Sequence, residues 1–126
     1  MITLDLKGSK PIYEQIIEQM KYNVMKGYLK PGDLIPSVRK MAMDLQVTPG
    51  TVSKAYQELE RQEIIETIRG KGTFIAHEIK MEENSKKLEE IKKQMFSPVM
   101  ELKMMGYSKE MVVQFVENIY KEMGVC

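Results

Sequence analysis

Histidine and cysteine, the side chains on which catalytic dyads and transition-metal sites most often rest, are scarce in this sequence and lie far apart. The chain holds one histidine, His77, and one cysteine, Cys126. A metal site needs three or four converging ligands, and a Cys-His pair must sit side by side to act. No catalytic residue, metal site or cofactor is therefore expected, and a lone thiol suits a reducing compartment. A different chemistry is concentrated in Thr48, Pro49, Gly50, Thr51, Ser53 and Lys54. Hydroxyls and an ammonium can bond to phosphate oxygens and base edges, and a glycine leaves the backbone open to close approach. Ser and Thr also cap helices everywhere, so a hydroxyl-rich helix start alone proves little. What points further is convergence. Ser37 is a second potential cap with Arg39 behind it, and Arg69-Gly70-Lys71-Gly72 interleaves two cations with two glycines.

These residues need elements to hold them. From Pro11 to Lys26, Tyr13, Ile16, Ile17, Met20 and Val24 fall on one helical face, with Pro11 tolerated in the first turn and Gly27 closing the helix. Lys30-Pro31-Gly32-Asp33 is turn chemistry. Ser37 opens a short second helix with Met41, Ala42 and Leu45 inward. Thr48-Pro49 opens a third, with Val52, Ala55, Tyr56 and Leu59 inward, as an N-cap followed by proline should. The tight connection between the two helices predicts a helix-turn-helix. Two β-prone runs, Ile64 to Ile68 and Thr73 to Ala76, flank the Arg69-Gly72 turn and predict a two-stranded wing leaning on the helices. Such a wing tip can reach a minor groove. Glu58, Glu60, Glu63 and Glu66 fall at the far end of the third helix and beyond, where they would face away from phosphates.

After a polar connection over 79–85, Leu88, Ile91, Met95, Val99 and Leu102 recur at helical intervals towards Gly106, with Pro98 inside the run. A kink or break is expected at that proline. Ser108 caps a fifth helix with Val112, Phe115, Val116, Ile119 and Met123 as its stripe and Gly124 as its stop. Two helices alone bury little, so these ten residues predict a homodimer in which paired hairpins form a four-helix arrangement. Seven of the twelve methionines follow His77; they suit core filling or an adaptable surface, on which a small-molecule effector between subunits is a further expectation.

Composition bounds the rest. With 126 residues, 43% hydrophobic and 29% charged, the chain suits one small domain plus an appendage. No apolar run approaches the roughly 20 residues of a membrane span, and the first residues lack a secretory signal, so a cytoplasmic location is expected. The net charge of +1 gives no indication of a nucleic-acid partner by itself. Residues 1–77 carry 11 Lys/Arg against 9 Asp/Glu, so placement rather than excess must carry the reading. The expected fold is mainly α with a small β-hairpin: a winged helix-turn-helix over 1–77, followed by a two-helix dimerisation region over 78–126.

The segments Ile35-Pro36-Ser37-Val38-Arg39-Lys40-Met41-Ala42, Val47-Thr48-Pro49-Gly50-Thr51-Val52-Ser53-Lys54-Ala55-Tyr56-Gln57-Glu58-Leu59-Glu60 and Arg69-Gly70-Lys71-Gly72-Thr73-Phe74-Ile75 closely resemble the GntR family of bacterial regulators, in particular its YtrA-type branch. The resemblance spans roughly residues 10 to 77 in the family's order and spacing. It implies a sequence-specific transcriptional regulator, a repressor by analogy, bound to double-stranded operator DNA. It also implies DNA contacts from Ser37 and Arg39, from Thr48 to Thr51 with Ser53 and Lys54, and from Arg69 to Gly72. Gly50 stands where the branch often has Asn, and Gln62-Glu63 replaces a common Glu-Gly. The competing reading is a winged-helix module for protein or RNA, since a fold does not dictate its partner.

Overall fold

Helix stops govern how this chain turns its corners. In the computed structural model, residues 2–77 and 85–124 are described, and the chain divides into two compact units, Met1–Lys80 and Met81–Cys126. The first contains α1 (Ile12–Met25), β1 (Leu34–Ile35), α2 (Val38–Leu45), α3 (Pro49–Arg61), β2 (Ile65–Ile68) and β3 (Gly72–Ile75). The second contains α4 (Ser85–Met104) and α5 (Lys109–Met123). Cys126 and most of the polar connection over 79–85 lie outside the described residues.

The inward stripe of α3 is as expected: Val52, Ala55, Tyr56 and Leu59 are all buried. They pack with Ile16, Ile17 and Met20 of α1 and with Met41 and Ala42 of α2. Tyr13, Val24 and Leu45 are only partly buried against this core. The sheet departs from a plain hairpin. It has three antiparallel strands in the order β1-β3-β2, with Leu34 opposite Phe74 and Ile35 opposite Thr73. A two-residue strand is too short to show alternation, yet it supplies the third strand an isolated hairpin lacks and buries Ile35 in the core.

α2 and α3 both end in Schellman motifs, in which a left-handed residue lets two amides return to the last-turn carbonyls. At α2 the amides of Gln46 and Val47 donate to the carbonyls of Met43 and Ala42 at 3.3 and 3.0 Å. At α3 those of Glu63 and Ile64 donate to Glu60 and Leu59, both at 2.9 Å. Gln46 and Glu63 have φ of 57° and 59°, a region that disfavours any side chain with a Cβ. Glu63→Gly relieves that strain and is expected to raise stability by about 0.5–1 kcal/mol, net of glycine's greater unfolded-state entropy. Thermal unfolding followed by circular dichroism checks it, the melting point rising by a few degrees.

Outside the periodic positions, two glutamines pin the N-terminal segment to α1. The side chain of Gln15 accepts from the Asp5 amide at 2.8 Å and donates to the Asp5 carbonyl at 2.9 Å, while Gln19 accepts from the Thr3 amide at 2.7 Å. Four residues of helix rise about as far as two residues of extended chain, roughly 6 Å, so side chains four apart match backbone groups two apart. Gln15 is buried, and its amide is satisfied by this arrangement, as a buried polar group requires.

In the second unit, α4 runs unbroken through Pro98, so the expected break is absent. The proline removes one amide donor, and the orphaned carbonyl, that of Gln94, lies in a stretch where every residue is exposed to some degree and water can satisfy it. α4 then ends in a third Schellman motif at Gly106, φ 97°, and Ser108 caps α5 by accepting from the Met111 amide at 3.3 Å. No described helix is long and apolar enough to cross a membrane.

Candidate nucleic-acid interface

The interface begins with two caps. Ser37 Oγ accepts from the Lys40 amide at 3.1 Å and so starts α2. Thr48 Oγ1 accepts from the Thr51 amide at 3.4 Å and lies 2.9 Å from Thr51 Oγ1, starting α3 with Pro49 in its first turn. Part of the hydroxyl chemistry is thus spent on capping. Between the two starts the chain turns at left-handed Gln46, which aims α3 across α2.

A single phenol sets their spacing. Tyr56, buried on α3, donates its hydroxyl to the Pro36 carbonyl at 2.6 Å, next to the Ser37 cap. Burial pushes its ionisation up to about 12. An unfolded tyrosine ionises near 10, so the folded state holds its proton through a range in which the unfolded chain loses it. Stability from this group is complete below pH 10 and is lost as pH rises towards about 12. Tyr56→Phe leaves the carbonyl unpartnered and is expected to destabilise the fold by about 1–2 kcal/mol at neutral pH. Urea denaturation at pH 7 and at pH 11 checks both points, the deficit of the variant shrinking at the higher pH.

Ser37, Arg39, Thr48, Pro49, Gly50, Lys54, Arg69, Gly70, Lys71 and Gly72 are exposed, and Thr51 and Ser53 are half-buried. A Cβ added at Gly50 would meet nothing within 4 Å, so the folded chain itself does not require glycine there. Ser53 Oγ accepts from Gln57 Nε2 at 3.4 Å. In the wing, the Lys71 amide donates to the Ile68 carbonyl at 2.9 Å, closing a turn whose third residue is Gly70 at φ 80°. That turn type favours glycine at its third position. It leaves Arg69 and Lys71 at the tip.

Charge is sorted along these elements. Among the described residues no carboxylate lies within ion-pair range of Arg39, Lys54, Arg69 or Lys71, whereas Lys40 pairs with Asp44 at 3.6 Å and Arg61 with Glu58. Arg61 Nε donates to Glu58 at 2.9 Å. Hydrogen bonds from Arg61 and then Gln62 hold the Glu58 carboxyl at about 2, well below the ordinary range. Glu60, Glu63, Glu66 and His77 line one polar depression beyond the end of α3. The start of α3 is therefore free of carboxylates and its end is rich in them. Lys54 is not an unattached cation: its ammonium stands over the Tyr13 ring, 4.0 Å from the centroid. Pattern reading finds Tyr13 as an apolar face residue and cannot show this pairing, which depends on how α1 crosses α3.

The ten stripe residues of α4 and α5 lie on a surface that one copy of the chain leaves open. No residue of either helix is buried; Ile91 and Ile119 remain 43% and 47% exposed. Only Leu102, Val112 and Met123 are half-buried. Phe115 meets Tyr107 edge-on, with ring centroids 5.4 Å apart.

A family model described as bacterial regulatory proteins, gntR family, matches residues 12–75. The chain is 44% identical over 119 residues to the HTH-type transcriptional repressor YtrA of Bacillus subtilis, covering 94% of this chain and 92% of that protein. Among solved structures it resembles a transcriptional antiterminator from Listeria monocytogenes EGD-e, with a TM-score of 0.86 and 41% identity over 98% of this chain and 92% of that one. It also resembles the DNA-binding domain of AraR in complex with operator ORE1, with a TM-score of 0.51 and 26% identity over 60% of this chain and 93% of that one.

Proposed function

This chain belongs to the GntR family of bacterial transcriptional regulators, and on that premise we propose that it is a repressor binding a palindromic operator as a homodimer. The family's proteins regulate transcription through a DNA-binding domain and are not enzymes, and that domain is what residues 12–75 match. The observation that carries the finer reading is the sorting of charge: among the described residues Arg39, Lys54, Arg69 and Lys71 lack carboxylate partners, and Glu60, Glu63 and Glu66 gather at the opposite end of α3. In this reading the first turns of α3 enter the major groove, as the second helix of a helix-turn-helix does. Ser37 and Arg39 then bear on the flanking backbone, and the Arg69-Gly72 tip follows the minor groove. Residues 1–77 act as the DNA-binding domain and residues 78–126 as the dimerisation region. Pairing is supported by the exposed apolar stripes of α4 and α5, which a four-helix arrangement would cover. Repression follows the named activity of the Bacillus subtilis relative.

Selection of bound duplexes from a random-sequence library tests this. The expected product is an inverted repeat with half-sites about one helical turn apart, because a two-fold dimer imposes its symmetry on its site. Recovery of no common sequence, with binding to RNA or to a protein instead, would replace the operator reading by that of an interaction module.

A further inference from the structure

We propose that Tyr13 is a positioning residue for DNA binding, whose ring holds the Lys54 ammonium ready for a phosphate of the operator; this rests on the docking proposed above. The Lys54 ammonium lies 4.0 Å from the centroid of the Tyr13 ring. Lys54 is exposed and sits one and a half turns into α3, while Tyr13 is half-buried in the first turn of α1 and packed on the core. The ring is thus anchored, and the flexible partner is the lysine.

The kind of partner matters. Lys40 on α2 and Arg61 on α3 are each held by a carboxylate of their own helix, which offsets their charge and competes with any incoming phosphate. An aromatic face attracts a cation through its quadrupole and carries no net charge. Lys54 is therefore restrained without being neutralised. A lysine side chain has up to about 2 kcal/mol of rotamer entropy to lose on immobilisation, and one already resting on a ring loses less of it when a phosphate arrives. The ring covers one side of the ammonium and leaves donors on the other. Tyr13 acts through Lys54 and itself need not touch DNA.

The test uses the full chain, a duplex recovered from random-sequence selection, and a graded series at position 13: Tyr13→Phe, then its mono-, di- and trifluorinated analogues. Fluorination drains the quadrupole while the ring keeps nearly the same shape. Affinity is expected to fall stepwise along the series, by about two- to fivefold in total, and to stay flat when the series is repeated on Lys54→Met. Lys54→Met itself should flatten the dependence of log affinity on log salt by about 0.9 for each phosphate that the lysine no longer neutralises. A flat series with Lys54 present overturns the proposal, as does an equal fall in the Lys54→Met background, which would mark a purely structural ring. If Arg39→Ala weakens binding and Lys54→Met leaves the salt slope unchanged, the docking stands and the role of Tyr13 fails. If neither changes binding, the docking itself fails. Because each ring replaces another of closely similar size, the series does not depend on a variant that unfolds.

Discussion

Arg39→Ala and Arg69→Ala are each expected to weaken operator binding by about 2 kcal/mol or more per dimer, roughly thirtyfold, while leaving the protein folded and paired. A guanidinium bonded to a base edge or phosphate is worth about 1–3 kcal/mol, and in a two-fold dimer each substitution acts twice. Neither side chain supports the fold: both are exposed and lack a carboxylate partner among the described residues. The two variants should differ in kind. An arginine at the start of α2 positions the protein on the backbone, so its removal lowers affinity for all sequences; removal of a minor-groove arginine alters preference for the narrow grooves of A·T-rich flanks. Titrations against the selected duplex and against one with altered flanks check this. Wild-type affinity in both variants would move the interface away from α2 and the wing.

Which features were legible in the sequence follows from their physical range. Caps, proline at a helix start and inward stripes are local, and they mark α2 and α3 from Ser37, Thr48-Pro49 and the run Val52 to Leu59. The glycines at 70 and 72 announce the wing because the backbone there takes φ of 80° and 125°. Non-local features were not legible. Leu34–Ile35 becomes a strand only because β3 lies beside it, and Gln15 and Gln19 reveal their role only once residues 3 and 5 lie alongside α1. The turn after α3 was visible only as a departure from the pattern that the family resemblance implies, and the structure gives Glu63 the left-handed backbone that favours glycine. Pro98 does not break α4, because a single proline removes only one amide donor and the carbonyl it orphans is open to water in an exposed stretch.

The second large effect concerns pairing. Ile119→Glu is expected to make the protein monomeric at micromolar concentration and to lower operator affinity by about a hundredfold or more. The stripe carrying Ile119 is half-exposed in one copy; if a partner covers it, two unpaired carboxylates enter an apolar seam, which costs about 3–5 kcal/mol or more. A monomer then engages each half-site separately and loses the gain in effective concentration that a linked pair enjoys. The α1–α3 core should be untouched, because it packs within the first unit. Sedimentation equilibrium with and without duplex checks both parts. A variant that still sediments as a dimer would place the pairing surface elsewhere, and a monomer binding as tightly as wild type would remove the need for pairing.

The cations around α2, α3 and the wing that have no carboxylate partner among the described residues are proposed to meet DNA phosphates, and the dependence of affinity on salt tests this most directly. Arg39, Lys54, Arg69 and Lys71, doubled by the two-fold axis, give as much as about −7 for the slope of log affinity against log salt, at about −0.9 per phosphate neutralised. A steep slope on the selected duplex, reduced when any of the four is replaced, is the predicted result. A slope near zero, or a steep one that none of the four replacements alters, would contradict it.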